Sequence, residues 1–124
     1  MKRSFDEIYD AIEPLLEKHV PPFHALRVDG KRCELSSKKN IEYMGKKRTG
    51  MFFAAVIKQK NFVGFYLMTI YARPELVQKL GAELRKALKG KSCFHITKID
   101  KTILAQMKKA LADGRKLYKK MRWV

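Results

Sequence analysis

The chain has 124 residues, 46% of them hydrophobic, which is enough for one domain with its own core, so we expect residues 1–124 to form a single domain. Its amino terminus carries charges every few residues, and its longest apolar stretch is too short to span a bilayer, which predicts a cytoplasmic protein. With 28 Lys and Arg residues against 12 Asp and Glu residues, the net charge is +16, and such a field attracts polyanions.

The charge is unevenly distributed along the chain. Residues 1–17 carry a net charge of −3, whereas the remaining residues carry +19. The sequence therefore predicts an acidic first helix on a basic body.

The first predicted element is this acidic helix. Ser4 and Glu7 have the S-x-x-E spacing of a capping box, and apolar residues then recur on one helical face as far as Leu16. Pro14 lies inside the pattern and predicts a kink or a division of the helix, because proline removes a backbone donor. Residues 19–22, which include two prolines, end the helix.

Strands are predicted next. Residues 26–28 and 32–35 flank Asp29-Gly30, a dipeptide typical of tight hairpin turns, and we interpret them as an outer hairpin. A polar loop and a short strand at residues 41–44 follow. Residues 45–50 then connect this strand to the centre of the sheet.

The centre of the sheet is predicted at residues 51–71. Two apolar runs rich in β-branched and aromatic residues flank a polar break at residues 58–61, which favours paired strands over one buried helix. Apolar side chains occupy both faces of these strands. We therefore expect both faces to be covered, by helices or in part by another subunit.

Helical patterns dominate the last third of the chain. A helix is predicted from Pro74 to Gly81, a second short helix ends at Gly90, and residues 92–97 form a short strand. Asp100 is placed to cap a last helix whose apolar residues share one face. The predicted fold is α+β: an antiparallel sheet with an N-terminal helix, one or two short middle helices and a long C-terminal amphipathic helix packed on it.

The polar face of the last helix is the first candidate site. A basic outer face of this kind is compatible with simple solvation, with polyanion contact or with contact to an anionic membrane surface. The candidate polyanion contacts on this face are Lys108, Arg115, Lys116, Lys119 and Lys120.

Two further patterns suggest other sites. Cys93 and His95 have the i, i+2 spacing that places two side chains on one strand face, but a metal site would need a third ligand, for which Cys33, His19 and His24 are candidates. Aromatic residues 62, 65 and 66 follow two lysines, a combination that suits single-stranded nucleic acid or an ordinary core.

Catalytic constellations are not evident in the sequence. Five of the twelve carboxylates are spread over the first helix, and no Ser or Cys has an evident His partner, so we expect a non-enzymatic protein without cofactor. The two cysteines are far apart and lack C-x-x-C spacing, which suits reduced thiols.

Three segments resemble a known family: MFFAAVIKQKNFVGFYLM, LKGKSCFHITKID and the terminal KLYKKMRWV. They are similar to the YdhG-like domains of unknown function, a bacterial group that includes a frataxin-like iron chaperone, and the resemblance covers residues 41–124. It implies an antiparallel sheet packed by helices. An iron-binding role would depend on exposed acidic residues, and the first helix offers Asp6, Glu7, Asp10, Glu13 and Glu17, although the basic body would repel iron.

These patterns together predict a small binding or accessory protein whose ligand is unknown, present as a monomer or homodimer. Binding of nucleic acid or another polyanion through the basic surface is the alternative function. Frataxin-like iron binding is the second alternative.

Overall fold

The computed structural model describes residues 5–124 and contains a six-stranded antiparallel sheet, a separate two-stranded hairpin and helices packed on the sheet. The predicted α+β fold is confirmed. The elements in chain order are α1 (Phe5–Glu17), β1 (His24–Val28), β2 (Arg32–Ser36), β3 (Asn40–Tyr43), β4 (Lys46–Thr49), β5 (Phe52–Lys58), β6 (Val63–Leu67), α2 (Met68–Ala72), a 3₁₀ helix (Pro74–Lys79), α3 (Ala82–Lys86), β7 (Leu88–Lys89), β8 (Cys93–Ile96) and α4 (Lys101–Lys120).

The predicted central hairpin lies at the middle of the large sheet. Its strands β5 and β6 are antiparallel neighbours in the order β1-β2-β5-β6-β8-β7. The predicted outer hairpin is also confirmed, because β1 forms the edge and pairs with β2 around Gly30, whose φ of +66° requires glycine-like freedom. Each central strand is therefore hydrogen-bonded on both sides.

The helices cover one face of this sheet. Val56 is paired with Cys33 on one side and with Phe65 on the other, and all three side chains are fully buried in the core beneath α1 and α4. On the opposite face, which we call the outer face, Ile57 and Tyr66 remain half-buried rather than enclosed. The expected helical cover on both faces is thus present on one face only among residues 5–124.

An aromatic cluster joins α4 to the sheet. Phe53 stacks on Phe23 with ring centroids 4.1 Å apart, and Tyr118 of α4 meets Phe53 edge to face at 5.0 Å. The Tyr118 hydroxyl donates a hydrogen bond to the Phe52 carbonyl. The pairing of β2 with β5 shifts at this point, from Leu35 opposite Ala54 to Ser36 opposite Phe52, which leaves Phe53 as the extra residue of a bulge.

The connection predicted at residues 45–50 is wrong, because most of it is strand β4. Met44 and Gly45 both have positive φ, +52° and +77°, and form the tight turn of a hairpin that pairs β3 with β4. All four residues of β4 are exposed and polar, so no apolar alternation indicated a strand.

The strand predicted to continue to residue 71 ends at Leu67 instead. The Leu67 amide donates to the Ser92 carbonyl, and the neighbouring strand β8 begins at Cys93, opposite Tyr66, so it has no residue left to pair beyond this point. Because unpaired backbone groups need local partners, the chain turns into α2, which buries Thr69 and Ile70. The β-branched composition of this segment had favoured a strand.

The remaining helices follow the predicted order with three differences. The helix at Pro74 is a 3₁₀ helix with proline at its start, and the next helix stops at Lys86 because Leu88 and Lys89 pair with β8 at the edge of the sheet. Pro14 does not divide α1, which runs continuously through it with the proline exposed. The capping residue Ser4 lies outside the described residues.

No helix formed by residues 5–124 has both the length and the apolar character required to cross a bilayer.

Candidate polyanion-binding surface

Helix α4 is fixed on the sheet so that one face points to solvent. The Asp100 side chain accepts a hydrogen bond from the Ile103 amide at 2.9 Å, as predicted for the cap. Ile103, Met107, Leu111 and Tyr118 then recur at helical spacing and are buried. The opposite face is consequently held outward over the whole length of the helix, about 30 Å for 20 residues.

This outward face carries the predicted polyanion contacts. Lys108, Lys116, Lys119 and Lys120 are exposed, whereas Arg115 is half-buried toward the end of α1. The structure therefore brings four of the five predicted residues onto one solvent-facing side and places the fifth at its border.

Arg115 lies close enough to the end of α1 to act on His19. Burial lowers the pKa of His19, and the positive charges of Arg115 and Lys18 lower it further. The Nδ1 atom of His19 is buried and has no hydrogen-bond partner among the described residues. The neutral imidazole is thus the form that fits beside this arginine.

The β3–β4 hairpin lies beside the carboxyl-terminal end of α4. The ring of Tyr43 in β3 meets the ring of Trp123 edge to face at 5.5 Å, and Trp123 in turn meets Tyr118 of α4 at 5.0 Å. Trp123 is only 6% exposed, so this contact is part of the core. It holds the β3–β4 hairpin, whose residues Lys46, Lys47 and Arg48 are all exposed, beside the end of α4.

Sequence reasoning did not join these hairpin residues to α4. The positive charges of β4 were visible as a Lys-Lys-Arg run, but the run is 53 or more residues before the last helix and no motif links them. The available signal was Met44-Gly45 between two polar strands, since glycine at this position is typical of a hairpin turn. We call the exposed face of α4 together with the exposed basic residues of β4 the basic surface.

Few carboxylates neutralise the basic surface. Four ion pairs form among residues 5–124, and only Lys109–Asp113, at 2.9 Å, lies on α4. The other three ion pairs join residues outside α4: Arg27–Glu17, Arg32–Glu34 and Lys58–Asp6. Within this part of the chain, none of the five predicted contacts on α4 has a carboxylate in salt-bridge range.

The outer face of the sheet holds the Cys93 and His95 pair. As their spacing predicted, both side chains lie on one face, where His95 stacks on Phe62 with ring centroids 3.7 Å apart. Burial raises the pKa of Tyr66, and a hydrogen bond with Cys93 raises it further. No group of three His, Cys, Asp or Glu side chains in residues 5–124 is arranged to hold a metal ion.

The candidate third ligands lie elsewhere. Cys33 is fully buried on the helix-covered face, separated from Cys93 by the two strands β5 and β6, and both cysteines are free thiols. His19 packs against Phe53 in the core, and His24 is exposed on the edge strand β1. The structure therefore does not bring the proposed ligand set together.

The aromatic and basic residues of the central hairpin are also separated. Phe65 is buried against Phe94, and Lys58 is ion-paired with Asp6 of α1. Phe62 and Tyr66 remain on the outer face, where the charge of Arg32 is balanced by Glu34. Because nucleic-acid affinity is dominated by phosphate contacts, the outer face suits a polyanion less than the basic surface does.

Three acidic residues of α1 have partners that can be named. Asp6 pairs with Lys58, Glu17 with Arg27, and Glu13 accepts a hydrogen bond from the Tyr9 hydroxyl at 2.6 Å. These contacts spread the carboxylates along the helix rather than converging them on one point, which is what a hard cation would require.

Comparison with known proteins gives no relative: no protein-family model, no curated protein and no solved structure matches the chain.

Proposed function

We propose that this protein binds nucleic acid through the basic surface and does so as a binding or accessory module without catalysing a reaction. The observation that carries the proposal is the row of exposed lysines along α4, which has one ion pair on the helix, next to a β3–β4 hairpin that contacts the end of α4 through Tyr43 and Trp123. Phosphates that contact such lysines release condensed counterions, which supplies affinity without sequence recognition.

The dimensions of α4 support the same ligand. Lys101 and Lys120 are separated by about 28 Å along the helix axis, at 1.5 Å per residue. This length matches roughly eight base-pair steps of a duplex at 3.4 Å per step. Several lysines of one helix can therefore contact phosphates of the same strand or of the same groove.

Family membership and location complete the proposal. On the strength of the segments that resemble those of the YdhG-like domains, we propose that the chain is a bacterial, cytoplasmic member of that group. An iron-carrier role has weaker support here, because Asp6 and Glu17 are already paired with basic residues. Calorimetry with ferrous iron separates the two functions, since a nucleic-acid module should give no saturable heat.

The decisive experiment is fluorescence anisotropy with labelled 20-nucleotide DNA and RNA, single- and double-stranded, at several salt concentrations. The triple variant Lys116→Gln, Lys119→Gln, Lys120→Gln should bind more weakly, and its salt slope should fall by about three, roughly one for each phosphate that no longer meets a lysine. These side chains are exposed, so the fold should be unchanged.

A matched control removes the same charge elsewhere. Lys31, Lys60 and Lys98 are exposed near the β1–β2 turn, the β5–β6 turn and the end of β8, at the other end of the sheet from Trp123. Their replacement by Gln should leave the salt slope close to that of the parent protein. Equal weakening by both triple variants, or no anisotropy change with any nucleic acid at low salt, would contradict the proposal.

A further inference from the structure

A cavity of about 510 Å³ lies between α4 and the segment that runs from α2 to α3. Its walls are mainly aliphatic, with Leu67, Ile70, Leu76 and Leu80 on one side and Leu117 of α4 on the other. Volumes of this size and lining are typical of small-molecule sites, which are concave, mostly apolar and supplied with a few polar groups. The cavity borders the basic surface at Lys109 and Asp113, but none of the five predicted polyanion contacts of α4 lines it.

One polar group in the wall is unused by the protein. Thr69 is 3% exposed, lines the cavity, and its Oγ1 atom has no hydrogen-bond partner among the described residues. The side chain of Gln106, another polar residue of the wall, already makes two hydrogen bonds: it accepts from the Leu84 amide at 2.9 Å and donates to Glu83 at 2.7 Å. Since buried hydroxyls in folded proteins are nearly always hydrogen-bonded, Thr69 stands out as the polar group of this wall whose hydrogen-bonding capacity no described residue meets.

Gly114 of α4 lies directly opposite this hydroxyl. A Cβ atom at position 114 would come within 2.7 Å of Thr69 Oγ1. The absence of a side chain here allows the helix to approach while the hydroxyl stays within the wall of the cavity. Any larger residue at position 114 would press on the Thr69 hydroxyl.

The charged residues of the lining, Lys79, Lys109 and Asp113, carry a net positive charge. Lys109 is paired with Asp113, which leaves Lys79 as the exposed basic side chain of the lining without a salt-bridge partner among residues 5–124. The net charge of +16 adds a long-range preference for anions. A ligand with an apolar body and a single negative charge satisfies both the walls and this lysine.

We propose that the cavity binds a small apolar monocarboxylate, of the medium-chain fatty-acid class, which accepts a hydrogen bond from Thr69 Oγ1 and has its charge balanced by Lys79. The hydrocarbon chain lies between α4 and α2. This site is independent of the nucleic-acid function, and either can fail without the other.

The test uses isothermal calorimetry with sodium decanoate below its micelle concentration. Decanoate should bind saturably at one site per chain, and 1-decanol and decyltrimethylammonium should bind at least tenfold more weakly. The Lys116→Gln, Lys119→Gln, Lys120→Gln protein should bind decanoate like the parent, which separates the cavity from adsorption to the basic surface. Non-saturable binding, or equal affinity for decyltrimethylammonium, would overturn the proposal.

Substitutions then locate the ligand. Thr69→Val keeps the shape of the side chain, removes an unpartnered hydroxyl, and should weaken decanoate binding at least tenfold while the melting temperature stays the same or rises. Thr102→Val, at an exposed threonine of α4 outside the lining, is the matched control and should bind normally. Unchanged decanoate affinity in Thr69→Val, with the fold intact by circular dichroism, would place the ligand elsewhere and refute the assignment.

Discussion

Replacement of Gly114 by alanine tests how closely α4 is packed on the sheet. Glycine in the middle of a helix is normally a weak point, and alanine at such a position gains about 1 kcal/mol from helix propensity alone. In this structure, however, the new Cβ atom would lie 2.7 Å from Thr69 Oγ1 and 3.0 Å from Phe53 Cε1. Favourable van der Waals separations begin at roughly 3.5 Å, so the helix or its neighbours must move by about 0.5 Å or more.

Such movement is opposed by the contacts on either side. Tyr118, one turn further along α4, donates to the Phe52 carbonyl, and the Phe53 ring is stacked on Phe23. Overpacking in a closed core costs about 1–3 kcal/mol, which exceeds the propensity gain. We therefore expect Gly114→Ala to lower the free energy of unfolding by about 1 kcal/mol and the melting temperature by about 4 °C.

Urea unfolding followed by circular dichroism measures this change. Ala112→Gly, two residues away on the exposed side of the same helix, calibrates the propensity term and should cost about 1 kcal/mol. Removal of the nearest atom in a Thr69→Ala background should reduce the cost of Gly114→Ala. If Gly114→Ala instead stabilises the protein by as much as Ala112→Gly destabilises it, the close packing at this point does not exist.

Three further predictions concern the pH dependence, the cap of α4 and the thiols. The pKa of His19 is lower in the folded than in the unfolded chain, so the unfolded chain takes up the proton first as the pH falls below about 6.5. The free energy of unfolding should therefore decrease below that pH. The decrease should be smaller in His19→Gln when urea midpoints are compared between pH 7.5 and 5.5. Asp100→Ala should lower the free energy of unfolding, measured in urea, by about 1 kcal/mol. Asp100→Ser should lower it much less, since a serine cap can also accept from the Ile103 amide. Equal losses in the two variants would argue against the cap. Burial raises the pKa of Cys33 to about 11, so a thiol reagent at pH 8 should modify the half-buried Cys93 and not Cys33, and Cys93→Ser should abolish the reaction of the native protein.

The elements that were predictable from the sequence are those in which local pattern and tertiary position agree. Residues of β5 and β6 are apolar because these strands are central in the sheet, and a dense apolar run with a polar break identifies such a hairpin. Helix α4 shows a capping aspartate followed by a 3.6-residue period, and its buried and exposed faces match the sequence pattern. Both signals are local consequences of burial, so they can be recovered from the chain alone.

The elements that were missed depend on partners distant in sequence. Strand β4 is polar throughout and exists because β3 pairs with it, and α2 begins where β8, one neighbour of β6, has no further residue to pair. Leu88 fits a helical pattern in the sequence but instead pairs with β8 as part of β7, which satisfies the hydrogen-bonding groups at that edge of the sheet. In each case tertiary pairing overrides local propensity, which is a weak determinant for short segments.

The candidate site likewise has one part that was predictable from the sequence and one part that was not. The lysines of α4 were predictable because a docked amphipathic helix exposes its polar face, whereas the contribution of β4 depends on the contact between Tyr43 and Trp123, residues 80 positions apart. The cavity beside Thr69 left no trace in the sequence. Its walls come from α2, the 3₁₀ helix and α4, and its defining property is a hydroxyl without a partner, which only a three-dimensional arrangement can show.

The distribution of ion pairs explains why the positive charge is concentrated rather than neutralised. Helix α1 carries much of the negative charge of the chain, and its Asp6 and Glu17 neutralise Lys58 of β5 and Arg27 of β1, on strands that α1 helps to join. Carboxylates used in this way are not available to α4, which keeps Asp113 alone. Acidic residues are thus paired at the first helix, and on the last helix only Lys109 has a carboxylate partner among residues 5–124. Because like charges held together on one surface repel each other, a bound polyanion would relieve that repulsion as well as gain counterion entropy, which is the physical basis of the proposed function.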